Sequence, residues 1–257
     1  MNNLLNKKGF ISDMDGVIYH GNKILPGVKE FVNWMIDNDK KFVFLTNSPE
    51  KTPHELSMKL ERMGLKVSAD HFYTSAMATA AFLSNQKPGC TAYVIGEGAL
   101  SKALYDQGIY MNDVNPDYVV VGETRTYSFE KIEKAIELVL KGAKLIGTNP
   151  DITGPTERGL MPATGSLIAP IEIATGKKAY FVGKPNPVMI RHGLNKLGCH
   201  SEEIAFIGDR MDTDIISGIE SNVDTVLVLS GVTSMETIDM FPYRPKYILE
   251  NVGEILK

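Results

Sequence analysis

The sequence predicts an α/β protein built on parallel β-sheets. Continuous apolar runs of strand length, such as residues 42–45, alternate along the 257-residue chain with stretches of helical periodicity. Parallel strands show such unbroken apolar runs because helices cover both of their faces. Strands that alternate with helices through a whole chain are typical of the α/β class.

The first part of the chain contains two predicted strands and two predicted helices. The strands cover residues 10–11 and 42–45, and the second helix begins at the capping pattern of residues 52–55 and ends at Gly64. The first helix follows Pro26-Gly27. Its apolar positions recur at helical spacing, and they are Val28, Phe31, Val32, Met35 and Ile36.

A second block of alternating elements begins near residue 75. Helices are predicted over 75–83, 100–106, from Ser128 onwards and over 166–175, with strands over 93–95, 118–121 and 144–146. Residues 152–165 are rich in Gly, Pro and Thr and predict a functional or docking loop. The first pattern then returns, with buried strands over 179–182, 204–207 and 225–229, helices over 187–197 and 212–220, and a last strand over 247–249.

The composition excludes several classes of protein. With 43% hydrophobic and 23% charged residues, the chain has the composition of a soluble globular protein. A net charge of −4 without a basic run argues against a nucleic-acid polymer as partner. No apolar run approaches the ~20 residues of a membrane span, and no signal peptide is evident, so no membrane partner is expected. Cys90 and Cys199 are far apart without ligand-like spacing, which fits a reducing cytoplasm.

A pair of carboxylates follows the first predicted strand. Asp13 and Asp15 are two residues apart, and on an extended backbone this spacing points both side chains the same way. Two converging carboxylates need a cation between them, and a hard cation with oxygen ligands, above all Mg²⁺, suits them. The alternative is a polar turn closed by Gly16.

Three further polar positions follow apolar runs in the same way. Thr46, Lys184 and Asp209 each come at or directly after a predicted buried strand. Because the carboxyl ends of parallel strands share one edge of a sheet, these side chains are expected to meet Asp13 there. Taken singly, Thr46-Asn47 could be an Asx turn, Lys184 a solvated loop lysine, and Asp209 and Asp214 helix N-caps.

Phosphoryl transfer is the chemistry that uses this set. Asp13 would act as the nucleophile and form an aspartyl-phosphate. Mg²⁺ would be held by Asp13, the backbone carbonyl of Asp15 and Asp209. Lys184 and the hydroxyl and amide groups of Thr46 and Asn47 would hold the phosphate oxygens. Asp15 would serve as general acid and base. Asp214 would orient Lys184 or the waters of the metal.

These residues resemble the four motifs of the haloacid dehalogenase-like (HAD) superfamily. The matching segments are Asp13-Met14-Asp15-Gly16-Val17, Thr46-Asn47, Gly183-Lys184-Pro185-Asn186-Pro187 and residues 208–214. The middle block is similar to the C2-type α/β cap of the NagD-type phosphatases. The segments of that block are residues 94–100, 121–125 and 148–151.

The resemblance implies a Rossmann-like parallel-sheet core with a smaller α/β cap inserted into it. The core would comprise residues 1–76 and 182–257, and the cap residues 77–181. The family further implies a Mg²⁺-dependent phosphatase acting on a small-molecule phosphate ester, often a nucleoside 5′-monophosphate such as UMP or GMP, or a sugar phosphate. The phosphate side of the site would be lined by Arg210, Met211, Asp212 and Thr213. A homodimer through the cap is one option for the family, although no heptad or large apolar stripe shows it. Ser12 departs from the family, which usually has an apolar residue or Cys there.

Three alternatives stay open from the sequence. A phosphotransferase or phosphomutase shares the paired aspartates, and a sensor would bind a phosphorylated metabolite without turnover. The third alternative, an unrelated nucleotide-binding fold, is disfavoured because no glycine-rich phosphate loop follows the first strand.

The role of the cap loop also has two interpretations. The loop, with Thr153, Gly154, Arg158, Pro162 and Gly165, would help to choose the leaving group, or would only shape a loop or a subunit contact.

Overall fold

The computed structural model describes residues 2–156 and 159–257. It contains two compact units. The first comprises Met1–Thr46, Pro53–Tyr73 and Lys184–Lys257, and the second comprises Asn47–Thr52 and Thr74–Gly183.

The strands follow the order β1 Gly9–Ser12, β2 Tyr19–His20, β3 Lys23–Ile24, β4 Lys41–Thr46, β5 Phe72–Thr74, β6 Thr91–Ile95, β7 Tyr110–Met111, β8 Tyr118–Val121, β9 Lys144–Gly147, β10 Thr153–Thr156, β11 Gly159–Pro162, β12 Tyr180–Phe181, β13 Ile204–Gly208, β14 Asp224–Val228 and β15 Tyr247–Leu249. The α-helices are α1 Asn2–Leu5, α2 Val28–Asp37, α3 Pro53–Arg62, α4 Ser75–Gln86, α5 Gly98–Asp106, α6 Phe129–Leu140, α7 Thr164–Thr175, α8 Val188–Leu197, α9 Ile216–Glu220 and α10 Met235–Ile238. A single π-helical turn, Met211–Ile215, precedes α9. Short 3₁₀ turns cover Ala69–His71, Ser201–Glu203 and Val252–Leu256.

The first unit is organised around a six-stranded sheet with the order β15-β14-β13-β1-β4-β5. Strand β1 runs parallel to β4 on one side and to β13 on the other, with Phe10 opposite Phe42 and Ala205. All four residues of β1 are buried, as are all five of β13. The continuous apolar runs therefore mark central strands, and the carboxyl ends of β1, β4 and β13 lie side by side.

Helix α2 shows how the sequence covers this sheet. Val28, Phe31, Val32 and Met35 are buried, as the helical spacing predicts, whereas Ile36 is 50% exposed and lies at the margin of the stripe. The ring of Phe31 meets that of Phe10 in β1 edge-on, with the ring centroids 5.2 Å apart. Burial of such large side chains contributes ~1.5–3 kcal/mol each, and it fixes the helix on the sheet.

The second unit has its own five-stranded parallel sheet with the order β12-β9-β8-β6-β7. Val119 and Val121 of β8 pack with Leu138 of α6 and Ile168 of α7 in a separate apolar core. Ser128 caps helix α6, as predicted, and its hydroxyl accepts the N–H of Lys131. The central strands of both sheets run parallel and helices pack on them, so the predicted α/β class is confirmed.

Three sequence expectations differ from the structure. Residues 179–182 do not form a buried strand of the first sheet, because β12 pairs only with β9 of the second sheet and leaves Tyr180 45% exposed. The predicted loop over 152–165 contains the antiparallel hairpin β10–β11; Arg158 of that segment lies outside the described residues. The second unit also includes Asn47–Thr52, which the predicted bounds place in the core; hydrogen bonds of Asn47, given below, account for this difference.

Within the part of the chain that the structure describes, no helix combines the length and the apolar character needed to cross a membrane.

Candidate active site

Asp13 stands at the carboxyl end of the central strand β1. Its N–H donates to the carbonyl of Ile207 at 2.8 Å and so continues the β1–β13 ladder by one residue. Thr46 ends the neighbouring strand β4, and Asp209 directly follows β13. The shared edge expected from the sequence therefore exists for Asp13, Thr46 and Asp209.

Lys184 reaches the same place from a different direction than expected. It begins the last segment of the first unit, directly after the second unit ends at Gly183. The preceding strand, β12, belongs to the second sheet, so Lys184 enters from a loop and not from a strand of the first sheet. Its ammonium nevertheless lies 2.5 Å from Asp13 Oδ1 and 2.8 Å from Asp214 Oδ1.

Three carboxylates cluster here, and the ammonium of Lys184 pairs with two of them, Asp13 and Asp214. One oxygen each from Asp13, Asp209 and Asp214 lie within 4.8 Å of one another. The side chains of Asp214 and Lys184 are only 1% and 3% exposed. Buried like charges repel strongly because little solvent screens them. This acidic cluster is therefore short of positive charge, and its all-oxygen donor set fits a hard divalent cation.

The ionisation of the cluster follows from its burial. Burial raises the pKa of Asp13 well above its ordinary range; Lys184 opposes the rise, and Asp214 and Asp209 add to it. Burial, reinforced by Asp214, also raises the pKa of Asp209 to about 7. Burial alone would lower the pKa of Lys184, but the carboxylates of Asp13 and Asp214 outweigh it and raise that pKa. Lys184 is accordingly a fixed positive charge.

Two glycines and a backbone amide hold Asp209. A Cβ on Gly16 would lie 2.4 Å from Asp209 Oδ2, and one on Gly231 would lie 2.0 Å from the same atom. Gly16 also has a φ of +77°, which other residues rarely adopt. The N–H of Val232 donates to Asp209 Oδ2 at 2.7 Å. The carboxylate of Asp209 is thus seated against bare backbone.

Asp214 orients its neighbours. Its Oδ2 accepts the N–H groups of Asp209 and Arg210 at 3.2 and 3.1 Å, while Oδ1 accepts the ammonium of Lys184. A Cβ on Gly208 would lie 2.2 Å from the Cβ of Asp214, so only glycine leaves room there. Asp214 thus links the ammonium of Lys184 and the backbone amides of residues 209 and 210 in one hydrogen-bond network.

Asp15 lies at the exposed side of the site. The hydroxyl of Tyr19 donates to Asp15 Oδ2 at 3.2 Å. Desolvation by the surrounding protein raises the pKa of Asp15, although an edge of the residue remains accessible, and Lys59, Tyr19 and His20 oppose the rise. A carboxyl group at this position can exchange protons with a leaving group or with water.

The residues after Asp209 form the π-helical turn. Arg210 pairs with Asp212 through Nε and Nη2, at 3.0 and 2.8 Å. Thr213 is buried, and the side chain of Met211 packs in an apolar cluster with Ile215. Met211 can therefore meet a phosphate only through its backbone, whereas Arg210 and Thr213 also bring polar side chains.

Asn47 directly follows Thr46 but packs with the second unit. Its side-chain amide donates to Asp151 Oδ2 at 2.9 Å, and its carbonyl accepts the amide of Asn149 at 2.8 Å. Thr46 is buried. Ser12, the departure from the family pattern, is buried as expected, and its hydroxyl donates to the carbonyl of Asp13 at 2.8 Å.

Sequence reasoning missed several supporting residues. Tyr19 bonds Asp15, the hydroxyl of Ser230 donates to the carbonyl of Gly16 at 2.8 Å, and Gly231 and Val232 seat Asp209. The sequence did contain an indication for Ser230, Gly231 and Val232. These residues follow the apolar run that forms β14, in the same way as Asp209 follows β13. For Tyr19 no pattern in the sequence indicates the contact.

Comparison with known proteins identifies the family. A model of the haloacid dehalogenase-like hydrolases matches residues 10–110, and a HAD-hydrolase-like model matches residues 181–255. Ribonucleotide monophosphatase NagD of Escherichia coli (strain K12) is 47% identical over 248 residues, covering 96% of this chain and 98% of that protein. The chain belongs to the haloacid dehalogenase-like hydrolases.

Further relatives place the chain among the phosphatases of the HAD family. Dihydroxyacetone phosphatase of Corynebacterium glutamicum (strain R) is also 47% identical, over 96% of this chain and 90% of that protein. The solved structure of NagD from E. coli K-12 superposes with a TM-score of 0.92 at 46% identity, covering 97% of this chain and 98% of that one. The 4-nitrophenylphosphatase from Thermotoga maritima gives 0.94 at 35% identity, covering 98% and 97%. This HAD hydrolase is therefore a NagD-like phosphoric monoester hydrolase.

Proposed function

We propose that the protein is a Mg²⁺-dependent phosphomonoesterase that works through an aspartyl-phosphate on Asp13. Its substrates are nucleoside 5′-monophosphates such as UMP or GMP, or small sugar phosphates. The observation that carries the proposal is the buried acidic cluster with one ammonium, Lys184, bonded to the nucleophile.

Asp13 is suited to attack. Lys184 holds Oδ1, which directs Oδ2 towards an incoming phosphorus atom. Attack forms an Oδ–P bond while the ester P–O bond breaks. The ammonium of Lys184, fixed by Asp214, also meets the negative charge on the equatorial phosphate oxygens. The backbone and side-chain groups of Thr46, Asn47 and residues 210–213 supply further donors to these oxygens.

Asp15 handles the protons in both half-reactions. It gives its proton to the leaving alkoxide in the first step. It then takes a proton from the water that attacks the aspartyl-phosphate, which releases inorganic phosphate and regenerates Asp13. Its exposed position and the hydrogen bond from Tyr19 fit this role.

Mg²⁺ would be held by the carboxylates of Asp13 and Asp209 together with the backbone carbonyl of Asp15. When bound, the cation supplies positive charge that offsets the repulsion between carboxylate and phosphate. The donor set supports this assignment, because one oxygen each from Asp13, Asp209 and Asp214 lie within 4.8 Å of one another and the ammonium of Lys184 pairs with only Asp13 and Asp214 of this cluster.

The substrate class rests on the relatives. One protein at 47% identity is named a ribonucleotide monophosphatase and another at 47% a dihydroxyacetone phosphatase, so identity does not choose between them. Because these relatives are named phosphatases, they favour hydrolysis over the transferase and sensor alternatives.

Two further inferences accompany the function. We place the enzyme in the cytoplasm, in keeping with two cysteines, Cys90 and Cys199, that are free thiols. We also infer a homodimer formed through the cap, which sedimentation equilibrium would test.

Phosphate release with and without Mg²⁺ tests the proposal. The panel contains UMP, GMP, dihydroxyacetone phosphate, hexose phosphates and p-nitrophenyl phosphate. We expect release that needs Mg²⁺ and favours one class. In Asp15→Asn, the first step should outrun the second, so intact-protein mass spectrometry after a rapid acid quench should detect one added phosphoryl group. No release from any ester with metal present would overturn the proposal.

A further inference from the structure

Two residues of the second unit adjoin residues assigned to phosphate binding. Asn47 follows Thr46 through one peptide bond, and Gly183 precedes Lys184 in the same way. Thr46 and Lys184 both belong to the first unit. Whatever fixes Asn47 and Gly183 therefore acts on Thr46 and Lys184 through the chain itself.

Asn47 is held at both its backbone and its side chain. Its carbonyl accepts the side-chain amide of Asn149 at 2.8 Å and the hydroxyl of Ser75. Its side-chain amide donates to Asp151 Oδ2 at 2.9 Å, and the N–H of Asp151 donates in turn to Asn149 Oδ1 at 3.1 Å. Asn149 thus binds Asn47 directly and also bonds the residue that holds its side chain.

Gly183 packs against the same short segment. Its N–H donates to the carbonyl of Thr148 at 2.8 Å. A Cβ at this position would lie 2.6 Å from that carbonyl oxygen and 2.8 Å from Asn47 Oδ1. Asn47 and Gly183 therefore pack together at the carboxyl end of β9, with no space for a side chain between them.

Glu123 sets the direction of the Asn149 amide. Asn149 is fully buried and Glu123 is 9% exposed. Glu123 Oε1 accepts the Asn149 amide at 3.1 Å, and this amide also donates to Asn47. The amide nitrogen has only two hydrogens, and its two shortest bonds go to Glu123 and to the Asn47 carbonyl, while Thr148 Oγ1 lies farther away at 3.5 Å. Three further residues act on the carboxyl group of Glu123. Ser48 forms a hydrogen bond with it, and the carboxylates of Glu50 and Asp151 interact with it electrostatically.

We propose that Asn149, oriented by Glu123, is a positioning residue for phosphoryl transfer. Asn149 fixes Asn47 directly, and together with Thr148 it fixes Gly183. Because Asn47 and Gly183 are bonded to Thr46 and Lys184, their positions determine where these two residues lie. This inference rests on the proposed function. Asn149 acts through the peptide bonds that join Asn47 to Thr46 and Gly183 to Lys184. Displacement of a substrate-holding group by about 1 Å can cost about 10²-fold in rate.

The decisive variant is Asn149→Asp, which keeps the shape and removes the donor to the Asn47 carbonyl. With p-nitrophenyl phosphate and Mg²⁺, we expect kcat to fall by at least ~10-fold and KM to change much less, because the misplaced groups act on charge that develops in the transition state. Glu123→Gln keeps an acceptor for the Asn149 amide and should retain wild-type kcat. Asn112→Asp is the matched control, since Asn112 bonds Thr91 and Asn115 beside the opposite edge strand β7. It should leave kcat unchanged.

The double variant Asn149→Asp/Glu123→Gln separates positioning from stability. The amide of Gln at 123 can donate to Asp at 149 and so restores the bond between residues 123 and 149, but not the bond to the Asn47 carbonyl. We expect kcat to stay as low as in Asn149→Asp. Recovery to the wild-type value would show that Asn149 only stabilises the cap and would overturn the proposal, as would wild-type kcat in Asn149→Asp.

Hydrogen exchange provides a readout that does not depend on activity. Peptides spanning residues 46–52 and 182–184 should exchange at least ~10-fold faster in Asn149→Asp, while peptides over β7 stay unchanged. If Asn149→Asp does not fold, Glu123→Ala removes the orienting acceptor and should show the same kcat loss and the same local exchange. Unchanged exchange in these peptides would overturn the inference. An inactive wild-type enzyme would instead contradict the proposed function. The exchange result would then still test whether Asn149 fixes residues 46–52 and 182–184.

Discussion

The carboxyl group of Glu123 makes the stability of the second unit depend on pH. Burial raises the pKa of Glu123 from its ordinary 4.5 to about 7, with Asn149 and Ser48 opposing the rise and Glu50 and Asp151 adding to it. Between these two pH values the folded protein keeps a proton that the unfolded chain has released. Stability is therefore full below about pH 4.5, falls as pH rises, and levels off above about pH 7.

The size of the effect follows from the two pKa values. A pKa difference of about 2.5, at about 1.36 kcal/mol for each pKa unit, gives about 3 kcal/mol of opening free energy lost across this window. Glu123→Gln has no ionisation at this position. The difference in opening free energy between wild type and Glu123→Gln should therefore shift by about 3 kcal/mol between pH 4.5 and pH 8, in favour of the variant at high pH.

Native-state hydrogen exchange of peptides covering β8 and β9 is the appropriate assay. The single tryptophan, Trp34, lies in the first unit, so its fluorescence does not report on this region. Comparison of the two proteins at each pH cancels the intrinsic pH dependence of exchange. Peptides over β1 and β14 in the first unit serve as the internal control. A difference that stays constant from pH 4.5 to pH 8 would refute the reasoning, because it would mean that folding does not perturb the ionisation of Glu123.

Three further predictions concern the candidate active site. Asp13→Asn should lower kcat for phosphate release by at least ~10³-fold because the nucleophile is lost, and near-normal turnover would contradict the covalent route. Lys184→Ala should raise KM and lower kcat together, and thermal unfolding should show a loss of ~3–5 kcal/mol because buried carboxylates lose their counter-ion; an unchanged melting temperature would argue against that ion pair. Gly231→Ala places a Cβ 2.0 Å from Asp209 Oδ2 and should weaken Mg²⁺ binding in titration calorimetry by ~10–100-fold. Gly98→Ala, with no atom within 4 Å of the new Cβ, should bind Mg²⁺ as the wild type does.

The parts of the fold that the sequence predicted are those with a local cause. Strands β1, β4, β8 and β13 are unbroken apolar runs because both faces are covered, and α2 and α6 show helical spacing because one face is buried. The sheet that a strand joins has no such local cause. Residues 179–182 look like the other buried strands in sequence, yet β12 is an exposed edge of the second sheet.

The candidate site shows the same division. Asp13, Thr46 and Asp209 could be placed together from sequence because strand ends in one parallel sheet share an edge. Lys184 could be assigned to the site from its motif. The segment that carries it there could not be predicted, because Lys184 follows a loop and not a strand of the first sheet. The burial of Glu123 was beyond reach as well, because only tertiary packing puts its carboxyl beside the buried amide of Asn149.

This division has a consequence for which mutations matter. Of the residues proposed to bind phosphate, Thr46 and Lys184 directly adjoin residues of the other unit in the chain, whereas Asp13 and Asp209 are set by strands of the first sheet. Asp13 and Asp209 therefore owe their positions to the apolar core of that sheet. Thr46 and Lys184 depend in addition on polar contacts at the end of β9, where a single lost hydrogen bond is not compensated by packing. Substitutions around Asn149 should for this reason impair turnover while leaving metal binding at Asp209 intact, a separation that kcat and Mg²⁺ affinity measured on the same variant would reveal.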